Sequence, residues 1–237
     1  MSWILVPFAR PERLENVQAN FQRQSHEGKK LCIVENGPAI GACKVAGFEP
    51  DLLLTSDVAH PSAARNVGLD ALADFGEDTH VCCMDDDDFY GSFYQAEHLL
   101  FAARGRVTGK LPHWVHFASQ GHLWLFNRNK AGRAVAWVQG PTIGGFVRDM
   151  GRFPLIPLGE ELDFCEAHRK NGGAVMNTSV GHFCYMRSED EKDHLYQVTP
   201  VGYANTHGPW FEEHPLDLQL VVQVDPPRSA RKNYLQV

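Results

Sequence analysis

An apolar run from Thr79 to Met84 ends directly in four aspartates, Asp85-Asp86-Asp87-Asp88. Few arrangements of a chain tolerate that junction. A short apolar run without helical period predicts a buried strand. Adjacent carboxylates repel one another, and each is costly to keep ionised in a partly enclosed place. On its own the run would be a solvated acidic turn. At the C-terminal end of a buried strand it becomes a candidate cation site, because a divalent ion relieves the repulsion and hard oxygen ligands suit Mg²⁺ or Mn²⁺. In extended backbone Asp85 and Asp87 share one face, and Asp86 and Asp88 the other.

The flanking sequence alternates strand and helix. Trp3 to Val6 reads as a strand, and Leu14, Val17 and Phe21 mark one face of a helix opened by Pro11. Leu31 to Val34 and Leu52 to Thr55 are further strands, and Ser62 stands where a cap would start a helix from Ala63 to about Asp74. Phe93 to Ala103 reads as another helix. This order predicts β-α-β units and a mainly parallel sheet with sites at strand C-termini. Trp114–Phe117, Leu123–Phe126 and 134–138 look like a small antiparallel set. Gly140 to Gly145 reads as a loop. Glu160 to Lys170 is a helix closed by Asn171-Gly172-Gly173, and Phe183 to Met186 is one more strand. No repeat or linker interrupts the 237 residues, so a single domain is expected.

Composition removes several classes. The formal net charge is −7, against a chain that lives on nucleic-acid phosphates. No apolar run reaches the ~20 residues of a membrane-spanning helix, and the N-terminus lacks a secretory pattern, so a cytoplasmic protein is expected. The six cysteines form no C-x-x-C pair and read as buried reduced thiols. His113, His116 and His122 straddle a hairpin, but with no cysteine beside them they make a poor zinc set.

Several motifs then stand in a familiar order. Val6-Pro7-Phe8-Ala9-Arg10 closes the first strand, Glu35-Asn36-Gly37 closes the second, and Arg65-Asn66-Val67-Gly68 precedes the aspartates. Gly144-Gly145, Glu160-Glu161-Leu162-Asp163 and Gly172-Gly173 follow. Over roughly residues 3–187 this resembles the GT-A glycosyltransferases, especially those of the family 2 type. The resemblance implies an α/β fold with a mixed, mainly parallel central sheet flanked by helices and a small antiparallel sub-sheet. It implies a nucleotide-sugar half over 1–110, an acceptor half over 111–225 and a basic tail over 226–237.

It also implies roles. Pro7 and Phe8 line a base slot, Arg10 reaches the base or a phosphate, and Glu35 accepts from uracil if the carrier is UDP. Arg65 stands near the diphosphate, Asp85 or Asp86 meets the ribose, and Asp87, with Asp85, ligates Mn²⁺ or Mg²⁺. His182 is a candidate late metal ligand, with His194 and His207 as others. Gly144 and Gly145 let backbone approach the donor sugar or acceptor. Glu161 of the Glu160, Glu161, Asp163 group is the base for an inverting transfer. These acids also suit a helix N-terminus on electrostatic grounds alone. The second-strand acid is Glu35 where Asp is usual, and the pair is Glu160-Glu161. Trp114, Trp210 and Phe211 are candidates to stack on an acceptor ring or to pack. The acceptor class expected first is a saccharide, glycan or small molecule. A hydroxymethylated DNA base, as in phage enzymes, is the alternative, with Arg128, Lys130, Arg133 and the tail as its basic patch. A nucleotidyltransferase would want a glycine-rich loop after the first strand, which Pro7-Phe8-Ala9-Arg10 lacks. A non-catalytic nucleotide-sugar-binding module remains a third reading.

Overall fold

The structure is a computed structural model that describes residues 1–118, 121–126, 130–187, 211–215 and 217–222. The basic tail, Arg128, His194, His207 and Trp210 lie outside the described residues.

Strands β1 (Ser2–Phe8), β2 (Lys29–Asn36), β3 (Leu52–Ser56), β4 (His80–Cys83), β6 (Arg106–Gly109), β9 (Gly144–Phe146) and β10 (Ala174–Asn177) form one sheet in the order β10-β6-β9-β4-β1-β2-β3. All its pairings are parallel except those of β9, which runs antiparallel between β4 and β6. The helices are α1 (Leu14–Arg23), α2 (Ala42–Ala46), α3 (Pro61–Ala73), α4 (Tyr94–Phe101), α5 (Glu160–Lys170) and α6 (Leu218–Val222). A second sheet, β12-β8-β7-β11-β5, joins β5 (Phe89–Tyr90), β7 (His113–Phe117), β8 (His122–Phe126), β11 (Phe183–Arg187) and β12 (Phe211–Pro215). No described helix is long and apolar enough to cross a membrane.

The strand alternation divides the core. Ile4, Val6 and Phe8 face α1 and the second sheet, packing with Val17, Tyr90 and Phe183. Trp3 and Leu5 face α3, with Ala64, Leu69 and Leu72. Cys82 enters the first cluster and Cys83 the second, and all six cysteines are buried and free. Burial of a large apolar side chain stabilises by ~1.5–3 kcal/mol. Gly68 lets α3 lie close on β1, since a Cβ there would stand 2.2 Å from Leu5 Cδ1.

Four expectations are corrected. Gly144 and Gly145 form strand β9 rather than a loop. A Cβ at Gly144 would stand 2.8 Å from His98 Nδ1 and 2.9 Å from the Val81 carbonyl, so these glycines admit β9 between two strands. Residues 134–138 contribute only an isolated bridge, Ala134 to Met176. The second sheet is mixed, because β7 and β11 run parallel. The cap of α3 is His60, whose Nδ1 accepts from the Ser62 N–H at 3.1 Å, while Pro61 takes the first helical position.

Candidate functional site

β4 ends at the centre of the larger sheet, its Cys83 paired with Leu5 of β1, and the aspartates that follow reach the end of β1, where Asp86 meets the Ala9 and Arg10 N–H groups. Each carboxylate has a partner within the protein, and Arg10 serves two of them. Asp86 is 1% exposed. Its Oδ2 accepts from the Ala9 and Arg10 N–H groups at 3.1 and 3.2 Å, and its Oδ1 from Arg10 Nε at 2.9 Å. Arg10 Nη1 donates to Asp87 Oδ2 at 2.8 Å. Arg65 is 1% exposed and donates to Asp85 Oδ1 at 2.7 Å, with Glu160 Oε1 at 3.4 Å. Asp88 Oδ1 accepts from the Met186 N–H at 3.1 Å, tying the run to β11.

The electrostatics follow from burial. Desolvation pushes the Asp85, Asp86 and Asp88 carboxyls above the usual carboxylate range. Arg65 moderates Asp85, Arg10 moderates Asp86, and the charge on Asp87 adds to the rise of all three. Burial alone would lower Arg10 and Arg65, but the neighbouring carboxylates outweigh it and hold both guanidiniums firmly protonated. Asp85, Asp87 and Asp88 each offer a ligand atom, and these lie within 4.8 Å of one another. Among the described residues this is the only such convergence of three or more His, Cys, Asp or Glu groups. Three crowded oxygen donors, two of them raised in pKa, fit a hard divalent cation.

The frame around the aspartates comes from residues with no sequence motif of their own. Asn16 Nδ2 donates to the Asp86 and Asp88 carbonyls at 2.8 and 3.0 Å, and Asn20 Nδ2 to the Asp88 carbonyl at 2.8 Å. They stand four residues apart on α1, and Asn20 is buried alongside Leu14 and Val17. The Asp85 N–H donates to Tyr90 Oη at 2.7 Å, and Tyr90 Oη donates to the Pro141 carbonyl at 3.2 Å. Asn66 clips Phe153 through two 2.9 Å bonds, which holds Phe153 5.4 Å beneath the Arg65 guanidinium.

α5 begins after Gly159, whose φ of 80° is left-handed and favours glycine. Glu160 points to Arg65. Glu161 lies against the turn that holds Pro141: a Cβ on Gly140 would stand 3.6 Å from Glu161 Cβ and 3.8 Å from its Oε2. Burial raises the Glu161 carboxyl, and the Glu160 charge adds to it. Asp163 is exposed on the outer side.

Other expected residues lie elsewhere or act differently. Pro7 and Phe8 are strand residues, and Phe8 is wholly buried in the core. Glu35 is buried, and both its oxygens accept backbone N–H groups at 2.7 Å, from Gly41 and Cys43. Gly144 and Gly145 face neighbouring strands. His182 does not join the aspartates. It is 2% exposed with φ of 64°, its ring lies 5.5 Å from that of Phe93, and burial lowers its pKa to about 4. His113 and His122 sit in different strands without a converging third ligand. Trp114 is a core residue of the second sheet; Phe211 is in β12. Near Glu35, a cleft of about 390 Å³ is lined by Pro11, Leu14, Pro38, Ile40, Ala42 and Val45 among others.

No family model and no curated protein matches the chain. Solved structures do. S. aureus TarS residues 1–349 in complex with UDP-GlcNAc superposes with a TM-score of 0.57 at 15% identity, over 86% of this chain and 63% of that one. A mannosyltransferase from Pyrobaculum calidifontis in complex with GDP-Man and Mn²⁺ gives 0.56 at 15% identity, over 81% and 57%. The chain has the GT-A fold. Glucosyl-3-phosphoglycerate synthase from Mycobacterium tuberculosis, in complex with Mn²⁺ and UDP-glucose, gives 0.51 at 12% identity, over 95% and 88%. The chain thus spans less than two thirds of the first two structures and most of the third. In this GT-A chain, the aspartate run, Arg65 and α5 meet at the C-terminal edge of the central sheet, where open α/β sheets place their ligands.

Proposed function

We propose that the chain is a metal-dependent glycosyltransferase that moves a sugar from a nucleoside-diphosphate donor, UDP-linked sugars among them, to an acceptor hydroxyl with inversion. The observation that carries this is the convergence of Asp85, Asp87 and Asp88 at the end of β4, with Glu161 lying against the turn that Tyr90 ties to Asp85. The solved neighbours hold UDP- and GDP-sugars, two of them with Mn²⁺.

In this reading Asp85, Asp87 and Asp88 hold a Mn²⁺ or Mg²⁺ ion, which supplies Lewis-acid stabilisation to the departing diphosphate. Arg10 and Arg65 set the positions of the carboxylates. Arg10, partly exposed, also borders the phosphates. Glu161 takes the acceptor proton as the hydroxyl attacks the anomeric carbon from the face opposite the diphosphate. Its raised pKa suits a base working nearer neutrality. Glu160 is occupied by Arg65, and Asp163 faces away, which favours Glu161 among the three acids. Residues 1–110 then serve the donor and 111–225 the acceptor. The acceptor is a saccharide or small-molecule hydroxyl. A DNA base is disfavoured because the carboxylates framing the site outnumber its guanidiniums, and duplex phosphates call for a basic surface.

Thermal unfolding with nucleoside diphosphates tests the proposal. A ligand at ~100 times its Kd adds ~2.7 kcal/mol. That gain should appear with Mn²⁺ and vanish with EDTA. No gain from any diphosphate in the presence of Mn²⁺ refutes it.

A further inference from the structure

We infer that the donor site does not select its nucleobase by hydrogen bonding, so UDP, GDP, ADP and CDP bind with similar affinity and the substrate class is nucleoside-diphosphate sugars rather than UDP-sugars alone. This rests on the reading of the site as a nucleotide-sugar site.

Among the described residues, the charged side chains placed to read a base, Glu35, Arg10 and Arg65, are already committed within the protein. Glu35 gives one oxygen to the Gly41 N–H and the other to the Cys43 N–H, both at 2.7 Å, and is 3% exposed. A carboxylate so held shapes the turn after β2 instead of presenting an acceptor to uracil. Arg10 is spread over Asp86 and Asp87, and Arg65 over Asp85 and Glu160. The backbone of the same turn is also engaged: besides Gly41 and Cys43, the Ile40 N–H donates to the Gly37 carbonyl and the Val45 N–H to the Gly41 carbonyl. Asn36 Oδ1, at the end of β2, is buried without a partner. An amide offers an acceptor in one orientation and a donor in the other, so it suits more than one base edge.

What the corner does offer is apolar. The cleft of about 390 Å³ between the start of α1 and α2 is walled by Pro11, Leu14, Pro38, Ile40, Ala42 and Val45, with Ile40 52% and Val45 90% exposed. A flat ring of any base can lie against such walls, and every base has a π-face. A site built to hydrogen-bond a group rejects an analogue lacking it by ~10⁴–10⁵-fold, whereas apolar walls discriminate far less. Affinity then comes from the diphosphate and the aspartate site, which are common to all these donors.

The test is calorimetric titration of the Mn²⁺-loaded protein with UDP, GDP, ADP and CDP. The expected result is four dissociation constants within about tenfold of one another. Glu35→Gln should weaken all four by the same factor, by loosening the turn. Ile40→Asp, at an exposed position that leaves the core intact, should also weaken all four alike. A preference for one base beyond tenfold, abolished by Glu35→Gln, overturns the inference and restores Glu35 as a base reader. A preference beyond tenfold that survives Glu35→Gln overturns it as well and points to another reader. If none of the four binds with Mn²⁺, the nucleotide-sugar reading itself falls. Binding with a strong base preference sinks only the inference made here.

Discussion

Tyr90→Phe removes one oxygen atom from beneath the aspartate run. Tyr90 is fully buried, and its ring packs 4.8 Å from that of Tyr94 and 5.3 Å from that of Phe183, contacts that phenylalanine retains. The hydroxyl accepts from the Asp85 N–H at 2.7 Å and donates to the Pro141 carbonyl at 3.2 Å. Each buried hydrogen bond contributes ~1 kcal/mol net, and a buried N–H left without an acceptor costs ~1–3 kcal/mol. The substitution should therefore destabilise by ~2–3 kcal/mol. Urea unfolding reads this as a lower midpoint at unchanged slope. The same bond links Asp85 to the turn against Glu161, so the variant should also bind Mn²⁺ several-fold more weakly in a direct titration (the order of ~1 kcal/mol). A loss under ~0.5 kcal/mol with unchanged Mn²⁺ affinity would show that Tyr90 does not position the site.

Three further outcomes follow from the same geometry. Glu161→Gln should cut kcat by ~10²–10⁴ while donor affinity stays near that of the parent, and Asp163→Asn should cost far less; the reverse ranking moves the base to Asp163. Because burial raises Glu161, kcat/KM should fall with acid at a higher pH than an ordinary glutamate dictates, and a profile unchanged in Glu161→Gln contradicts the assignment. Asp88 has its folded pKa raised well above the usual range, so its contribution is fully present below the unfolded carboxylate pKa and is lost as pH rises through the folded value. The metal-free protein should thus gain stability as pH drops from neutral toward that range, and Asp88→Asn, which keeps an acceptor for the Met186 N–H, should flatten the slope in thermal unfolding.

The sequence made the site's centre legible because strand and carboxylates are contiguous. The bounds of α5 were legible for a similar reason: acids at its start and Asn171-Gly172-Gly173 at its end are local signals. Arg65-Asn66-Val67-Gly68 could be placed through resemblance, and the structure supplies a physical task for Arg65, Asn66 and Gly68. The rest depends on partners distant in sequence. β9 is a strand because β4 and β6 bracket it, and a segment beginning Gly-Gly has no strand propensity to announce that. Asn16, Asn20 and Tyr90 bind backbone groups far along the chain or across a turn, and an isolated amide or phenol carries no motif. Glu35 stood at the expected position, but its backbone partners form only once the following turn has closed. His182 followed the pattern of a late ligand, yet the path of the chain after β10 buries it against Gly91 and Phe93.

The measurement that bears most directly on the account is calorimetric titration of UDP into the parent protein and Asp87→Asn, each with Mn²⁺ and with EDTA. Asp87 accepts from Arg10 Nη1 at 2.8 Å, and Asp87→Asn keeps the side chain's size and an oxygen acceptor for that donor, so the fold should stand. The account predicts binding to the parent with Mn²⁺, and loss of that binding both on chelation and in Asp87→Asn at unchanged thermal stability. Equal UDP affinity in all four samples would contradict a metal-bound diphosphate at Asp85, Asp87 and Asp88.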